Sequence, residues 1–217
     1  MNFSIRVMIV DQHQMFREGI QSRLEKEPGI RVVGDAGSAQ EAILKVEQVR
    51  PTIVTLGIRL PDASGIEVVR LLRRDYPDIK ILIITAYDYD QYVETCFRLG
   101  VSGYLLKDLS QETVVEAIYE IASGGVVIPP QIAPKVLKST TRSNGGCRGR
   151  IPVPLTFREI EILEMVVYGG LRNPDIARRL SISTRTVEAH MSNIFSKLGA
   201  RNRTELVSIS REEKLVK

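Results

Sequence analysis

The chain has 217 residues, of which 43% are hydrophobic and 26% charged, and a formal net charge of +4, which is typical of a soluble globular protein with room for one large or two small domains. No apolar run approaches the roughly 18 residues that span a bilayer, and the N-terminal run ends at Asp11, too early for a secretion signal. We therefore disfavour membrane and exported classes and predict a cytoplasmic protein, in which Cys96 and Cys147 are too few for a disulfide framework and lack metal-ligand spacing.

The N-terminal part of the chain alternates short β-branched runs with amphipathic helical patterns. The runs predict strands over Arg6–Val10, Ile30–Asp35, Ile53–Leu56, Ile81–Thr85 and Ser102–Leu105. Between them, apolar residues recur at the three-to-four spacing of one buried helix face, as in Met15, Phe16, Ile20 and Leu24. Because parallel strands need crossover connections, residues 1–125 are predicted to form an α/β domain, a five-stranded doubly wound sheet with helices on both faces.

Chemistry in a doubly wound sheet is expected outside the carboxyl ends of the strands. Asp11 and Gln12 follow the first predicted strand and Gly57 follows the third. Thr85 ends the fourth strand, and Lys107 comes directly after the fifth. These positions are the candidates for a functional pocket.

The same positions carry a resemblance that covers residues 4–125. The segments IRVMIVDQHQMFREGI, RPTIVTLGIRLPDASGIEVVRLLR, IKILIITAYDYDQYV and GVSGYLLKD resemble the receiver domain of bacterial two-component response regulators of the NarL/FixJ type. The resemblance implies a flavodoxin-like fold that works as a phosphate switch. In that family two adjacent carboxylates and a third aspartate hold Mg²⁺, and the third aspartate accepts a phosphoryl group.

The match to this switch is incomplete. Asp11 corresponds to the first carboxylate, whereas Gln12 stands in place of the second and Gly57 in place of the phosphoacceptor. Thr85 and Lys107 match the threonine and lysine that bind the phosphoryl group in that family. Tyr104 matches the aromatic residue that reorients on activation. Glycine cannot form an acyl phosphate and one carboxylate is a poor cage for Mg²⁺, so we predict a degenerate receiver pocket with no phosphoacceptor, metal or cofactor.

Other uses of this pocket remain open. A simple ion pair between Asp11 and Lys107 is the favoured interpretation, and a small acid or a protein partner reaching Lys107 is the alternative. Asp62, in the loop after the third strand, is a conceivable substitute acceptor, but the loop carries it away from Thr85 and Lys107.

A change of composition separates this domain from the rest of the chain. Residues 126–154 are predicted to be a connector and flexible linker, with almost no apolar periodicity over STTRSNGGCRGRIPVP, residues 139–154. Residues 1–138 contain 16 Lys and Arg against 18 Asp and Glu, whereas residues 139–217 contain 14 against 8. The basic second part favours a polyanionic partner.

Residues 155–217 predict an all-α domain. Thr156 and Glu159 have capping-box spacing ahead of a helix that ends at Gly169-Gly170, and Asn173 is the predicted cap of a second helix. After a short turn, a third helix is predicted over Thr184–Leu198, closed by Gly199. Two helices joined by a tight turn match the helix-turn-helix geometry that fits a major groove.

The pieces IARRLSIS, TVEAHMSNIFSKLG and RTEL resemble the four-helix LuxR-type DNA-binding domain. The resemblance implies that double-stranded DNA is the partner and that the third helix enters the groove. The residues predicted to contact DNA are Arg178, Thr184, Arg185, Thr186, Glu188, Ala189, Ser192, Asn193, Lys197, Arg201 and Arg203. Glu188 suits a cytosine amino group and Ala189 a thymine methyl group.

The fourth helix corresponds to the dimerisation element of the family. Its predicted contacts are Arg203, Glu205, Leu206 and Val207. A homodimer would place two recognition helices about 34 Å apart on the DNA.

The leading hypothesis is a transcriptional regulator that does not depend on aspartyl phosphorylation, with a possible protein partner on the receiver surface. One alternative keeps phosphorylation on another residue. A second alternative is an interaction module that sequesters another regulator. An enzyme is the least favoured class, since the chain has no Gly-rich phosphate loop and no Ser/His/Asp set.

Overall fold

The computed structural model describes residues 5–136, 155–212 and 215–216. Two compact units divide the described chain: one contains residues 5–136 apart from 89–91, and the other contains residues 89–91 together with those from 155 onward. The predicted linker over residues 139–154, including Cys147, lies outside the described residues. None of the described helices is both long enough and apolar enough to cross a membrane.

The first unit is built on a five-stranded sheet in which each neighbouring pair of strands is parallel. The strand order is β2-β1-β3-β4-β5, with bounds β1 Ile5–Val10, β2 Ile30–Ala36, β3 Ile53–Leu56, β4 Lys80–Thr85 and β5 Gly103–Leu106. The register pairs Val10 with Leu56 and Thr85 with Leu106, so the carboxyl ends of these strands meet at one edge. The order reverses at β1, which opens the crevice there. The predicted doubly wound, flavodoxin-like architecture is confirmed.

Within the described residues, five helices follow the five strands, one after each strand. They are α1 Gln14–Leu24, α2 Ala39–Val49, α3 Gly65–Asp75, α4 Asp90–Arg98 and α5 Gln111–Ala122. Serine hydroxyls cap three of them by accepting first-turn N–H groups, among them Ser110 at the start of α5. These caps fix where each helix leaves the edge of the sheet that carries the pocket.

A continuous apolar core lies between the sheet and helices α1 and α5. Its members include Val7, Leu82, Leu105, Ile118 and Ile121, all at most 1% exposed, and Ile20 and Leu24 of α1. The prediction that Met15 shares this buried face is wrong, because its side chain is 86% exposed. Successive helical residues differ by about 100° around the axis, and the face that packs follows Phe16, Ile20 and Leu24 instead.

The second unit contains the four predicted helices, α6 Phe157–Val167, α7 Asn173–Leu180, α8 Thr184–Leu198 and α9 Arg203–Glu212. The capping box of Thr156 and Glu159 is present at the start of α6. The predicted cap at Asn173 is wrong by one residue: Arg172 is the N-cap, Asn173 is already helical, and Pro174 occupies the second position. Helix α8 packs through buried Val187, Met191 and Ile194.

Candidate functional site

The strand ends of the first unit enclose a cavity of about 290 Å³. Five of the six predicted pocket residues line it, namely Asp11, Gln12, Gly57, Thr85 and Lys107. The sixth, Tyr104, is fully buried on β5 and does not line the cavity. The sheet therefore brings together the residues that the sequence singled out, although they are separated by up to about a hundred positions in the chain.

An ion pair occupies the floor of this cavity. Nζ of Lys107 lies 2.6 Å from Oδ2 of Asp11, with side chains 19% and 3% exposed. The other carboxylate oxygen of Asp11 accepts the backbone N–H of His13 at 2.9 Å and lies 3.0 Å from its Nδ1. The ammonium of Lys107 also sits 4.2 Å from the centre of the Phe16 ring. Both oxygens of Asp11 are thus engaged inside the protein.

The backbone of Gly57 borders this ion pair closely. A Cβ atom at this position would lie 2.6 Å from Oδ2 of Asp11 and 3.5 Å from the carbonyl oxygen of Val10. The amide of Gly57 donates to that same carbonyl at 2.8 Å. The carboxylate of Asp11 therefore fills the space where any side chain at position 57 would begin.

The cavity does not fit the divalent cation that the fold implies. Mg²⁺ takes oxygen ligands in near-octahedral geometry and relies on carboxylates. Here one carboxylate is present, that of Asp11, and the ammonium of Lys107 already neutralises it. The neighbouring side chain, Gln12, has its amide nitrogen 3.4 Å from Nε2 of His13.

The side chains of Thr85 on β4 and Tyr104 on β5 are buried and hydrogen-bonded. The hydroxyl oxygen of Thr85 accepts the backbone N–H of Tyr87 at 3.3 Å. The hydroxyl of Tyr104 donates to the backbone carbonyl of Tyr87 at 2.7 Å, and its burial raises the pKa of the phenol well above the ordinary value. The loop after β4 is thereby attached to both strands.

Asp62, considered as a substitute acceptor, has a different role. Its two carboxylate oxygens accept the backbone N–H groups of Ala39 and Gln40 at 2.8 and 2.9 Å. These first-turn amides of α2 hold the pKa of the Asp62 carboxyl below its usual range. Asp62 is an N-terminal cap of α2 and is absent from the lining of the cavity.

In the second unit, a tight turn joins α7 to α8. Ser181 adopts the left-handed conformation, with φ 53° and ψ 42°, and the N–H of Ile182 donates to the carbonyl of Ala177 at 3.0 Å. The hydroxyl of Ser183 then accepts the N–H of Thr186 at 3.0 Å, which starts α8. Gly199, at φ 67°, ends it. The predicted bounds of this helix are confirmed.

The outer face of α8 is open to solvent. Its exposed side chains include six of the predicted contacts, Arg185, Thr186, Glu188, Ala189, Ser192 and Asn193, while Thr184 is half-buried. Arg178 and Arg201 are exposed nearby, and Arg178 forms an ion pair with Asp175 although its side chain is 81% exposed. This arrangement offers base-edge donors and acceptors beside cationic groups.

Three of the residues predicted to contact DNA or a second subunit have partners or packing inside the domain. Lys197 forms an ion pair with buried Glu159, Nζ to Oε2 2.7 Å. Arg203 donates to the carbonyl of Leu171 and to the side-chain oxygen of Asn173, and its partial burial lowers the pKa of its guanidinium. Leu206, expected at a dimer contact, is 0% exposed within the chain's own core.

Sequence reasoning missed the contribution of His13 to the pocket. Its backbone N–H and ring Nδ1 contact Oδ1 of Asp11, while Lys107 contacts Oδ2. The signal was present as a D-x-H spacing at the end of β1, since residues two apart in such a turn bring backbone N–H and carboxylate together.

Comparisons with known proteins agree with both units. The response regulator receiver domain family matches residues 7–119, and the luxR family of bacterial regulatory proteins matches residues 153–210. The transcriptional regulatory protein LnrK of Bacillus subtilis strain 168 is 36% identical over 207 residues, which cover 93% of this chain and 94% of LnrK.

Solved structures resemble the fold along the chain. The crystal structure of ChrA, the response regulator of a heme-sensing two-component system, is 31% identical with a TM-score of 0.51, covering 99% of this chain and 100% of that one. A structure of two RcsB dimers bound to two parallel DNAs is 19% identical with a TM-score of 0.59, covering 96% and 98%, and shows likeness of fold alone. The chain therefore belongs to the NarL/FixJ-type response regulators, transcription factors that combine a receiver domain with a LuxR-type DNA-binding domain.

Proposed function

We propose that this chain is a transcriptional regulator that binds DNA without control by aspartyl phosphorylation. The observation that carries the proposal is the packing at Gly57, where the carboxylate of Asp11 lies 2.6 Å from the position of a Cβ atom. An acceptor is absent, and its space is filled by an ion pair that neutralises the lysine on which a phosphoryl group would depend. The signal is then the amount of protein, its dimerisation or a protein partner on the receiver.

The state of Tyr104 supports this proposal. In the family that the chain resembles, an aromatic residue at this position reorients on activation. Here Tyr104 is 0% exposed, and its hydroxyl donates to the backbone carbonyl of Tyr87. This hydrogen bond stabilises the buried orientation of Tyr104 by about 1 kcal/mol. The orientation therefore does not depend on a phosphoryl group that would attract Thr85.

For DNA recognition we propose the solvent face of α8. Glu188 and Asn193 are exposed side chains that can exchange hydrogen bonds with base edges, and Ala189 permits close approach. Arg178, Arg185 and Arg201 would bind phosphates. Lys197 and Arg203 are left out of this set because their charges serve contacts inside the domain.

A homodimer is the proposed binding form. On α9, buried Leu206 is unavailable, Arg203 is directed into the domain, and Glu205 accepts the backbone N–H of Arg201 at 2.8 Å. Val207 is the partly exposed apolar member of the predicted set and the proposed centre of the contact. Phosphate binding by three arginines of each subunit engages six phosphates, which corresponds to an affinity loss of about a thousandfold between 50 and 200 mM salt.

Two measurements on the full chain test this function. Incubation with acetyl phosphate and Mg²⁺, followed by intact mass measurement, is expected to give no stable phosphoryl adduct and no change in DNA affinity. An acid-labile gain of one phosphoryl group that tightens DNA binding would overturn phosphorylation independence. Titration against duplex DNA at 50 and 200 mM salt is expected to show strong salt dependence, and its absence would favour the sequestering alternative.

A further inference from the structure

We propose that Lys197 and Glu159 act as a positioning pair, which sets the orientation of α8 for groove entry from inside the domain and does not touch DNA. The inference rests on the proposed DNA-binding function. From its position in the sequence, Lys197 would be placed among the phosphate contacts of the recognition helix. The inference gives it a different role.

The geometry of the pair is that of an anchor. Lys197 lies in the last turn of α8, and its Nζ approaches Oε2 of Glu159 to 2.7 Å. The side chain of Lys197 is 20% exposed and that of Glu159 is 2% exposed. The same Oε2 accepts the backbone N–H of Thr156 at 2.6 Å, at the start of α6. One buried carboxylate oxygen therefore joins the end of α8 to the beginning of α6.

The apolar packing of α8 is less directional than a hydrogen bond. Its contacts run through Val187, Met191 and Ile194, and such contacts are non-directional. Hydrogen bonds to base edges require geometry held to about 0.5 Å and 10–20°. A charge-assisted hydrogen bond is short and directional, so the pair supplies the constraint that the apolar contacts lack.

The ammonium of Lys197 is also unsuited to bind phosphate where it lies. Its partner is a nearly buried anion, and leaving that anion without a cation carries a large desolvation penalty. Arg185, by contrast, is an exposed cation on the first turn of the same helix. The two residues have the same charge but different proposed roles, which makes Arg185 the matched comparison.

The test measures DNA binding by fluorescence anisotropy with the full-length protein and three variants, Lys197→Met, Glu159→Gln and Arg185→Met. Each is titrated at four salt concentrations against a duplex obtained by in vitro selection with the parent protein and against a random duplex of equal length. Thermal unfolding and circular dichroism establish that each variant is folded. Glu159→Gln is included because it keeps an acceptor for Thr156 and leaves no buried anion without a partner.

Both variants of the pair are expected to lose about tenfold or more in affinity for the selected duplex. Their affinity for random duplex stays within about twofold, and the slope of log affinity against log salt is unchanged. Arg185→Met is expected to weaken binding to both duplexes and to reduce the slope by about one for each phosphate that the variant no longer binds.

Two results would overturn the inference. A slope reduced in Lys197→Met as in Arg185→Met would mean that Lys197 binds phosphate. An unchanged ratio of selected to random affinity in folded Glu159→Gln would mean that the pair is only structural. If the parent protein shows no salt-dependent binding to either duplex, the proposed function itself fails, and the inference falls with it.

Discussion

Replacing Gly57 by alanine tests whether the packing of the receiver pocket requires a residue without a side chain at position 57. The new methyl group would lie 2.6 Å from Oδ2 and 3.4 Å from Cγ of Asp11. A methyl carbon at this distance from an oxygen atom is strongly repelled, so the side chain of Asp11 must move. Its side chain is 3% exposed and held by Lys107 at 2.6 Å and by the N–H of His13 at 2.9 Å. Any movement therefore weakens contacts that offset the burial of its charge.

The expected cost follows from two effects. Overpacking a tight site costs about 1–3 kcal/mol, and lengthening a partly buried ion pair adds to this in the same direction. For a domain of this size, 1 kcal/mol corresponds to about 4 °C in Tm. We expect Gly57→Ala to lower the Tm of the receiver transition by about 4–12 °C, and Gly57→Asp to lower it further, because a second carboxylate would face that of Asp11.

The assay is differential scanning calorimetry of the full chain, with Gly19→Ala as the matched control. Gly19 lies inside α1, where a Cβ atom would meet nothing nearer than 3.5 Å. Alanine is favoured over glycine in a helix by about 1 kcal/mol, so this control should raise Tm. A Gly57→Ala protein as stable as the parent, or a structure of it with Asp11 unmoved, would refute the reasoning.

Three further predictions concern side chains around the same sheet. Asp62→Ala should destabilise the receiver by about 0.5–1 kcal/mol without changing the response to acetyl phosphate. The folded-state pKa of the Asp62 carboxyl is lowered. In urea denaturation the parent should therefore be more stable than the variant above the ordinary aspartate pKa, and this difference should be lost as pH falls through the lowered value. In a Cys147→Ser background, burial that raises the pKa of Cys96 to about 12 should prevent reaction with a thiol reagent at pH 8 until the protein unfolds, and rapid native-state labelling would contradict this. Tyr104→Phe should cost about 0.5–1.5 kcal/mol in thermal unfolding, and an unchanged stability would mean that the bond to the carbonyl of Tyr87 is absent in solution.

The sequence predicted the fold well because the fold depends on local signals. Helix α8 begins after a serine cap and ends at a glycine, so both of its bounds could be placed from neighbouring residues. The five strands followed from β-branched runs between helical patterns. The ion pair of Asp11 and Lys107 could also be predicted, because parallel strands bring their carboxyl ends together.

What the sequence did not reveal depends on partners distant in the chain. Lys197 was predicted to contact DNA, and nothing near it in α8 indicates its ion pair with Glu159, 38 positions earlier. Leu206 was assigned to a dimer contact because an apolar residue on a short helix can face either its own core or another chain. Met15 is the opposite case: the sequence pattern assigned this apolar residue to the core, but it lies on the surface.

The ion pair beneath Gly57 also bears on the history of this receiver. A glycine codon that ends in a pyrimidine becomes an aspartate codon by one nucleotide substitution. In this protein that step meets the carboxylate of Asp11 where the new side chain would begin, and Gln12 still denies the site its second acidic ligand. Under the proposed function, an aspartate regained at position 57 would thus destabilise the receiver before a second acidic ligand is restored. The packing of Asp11 against Gly57 would then disfavour the return of an acceptor even where selection does not act directly against it.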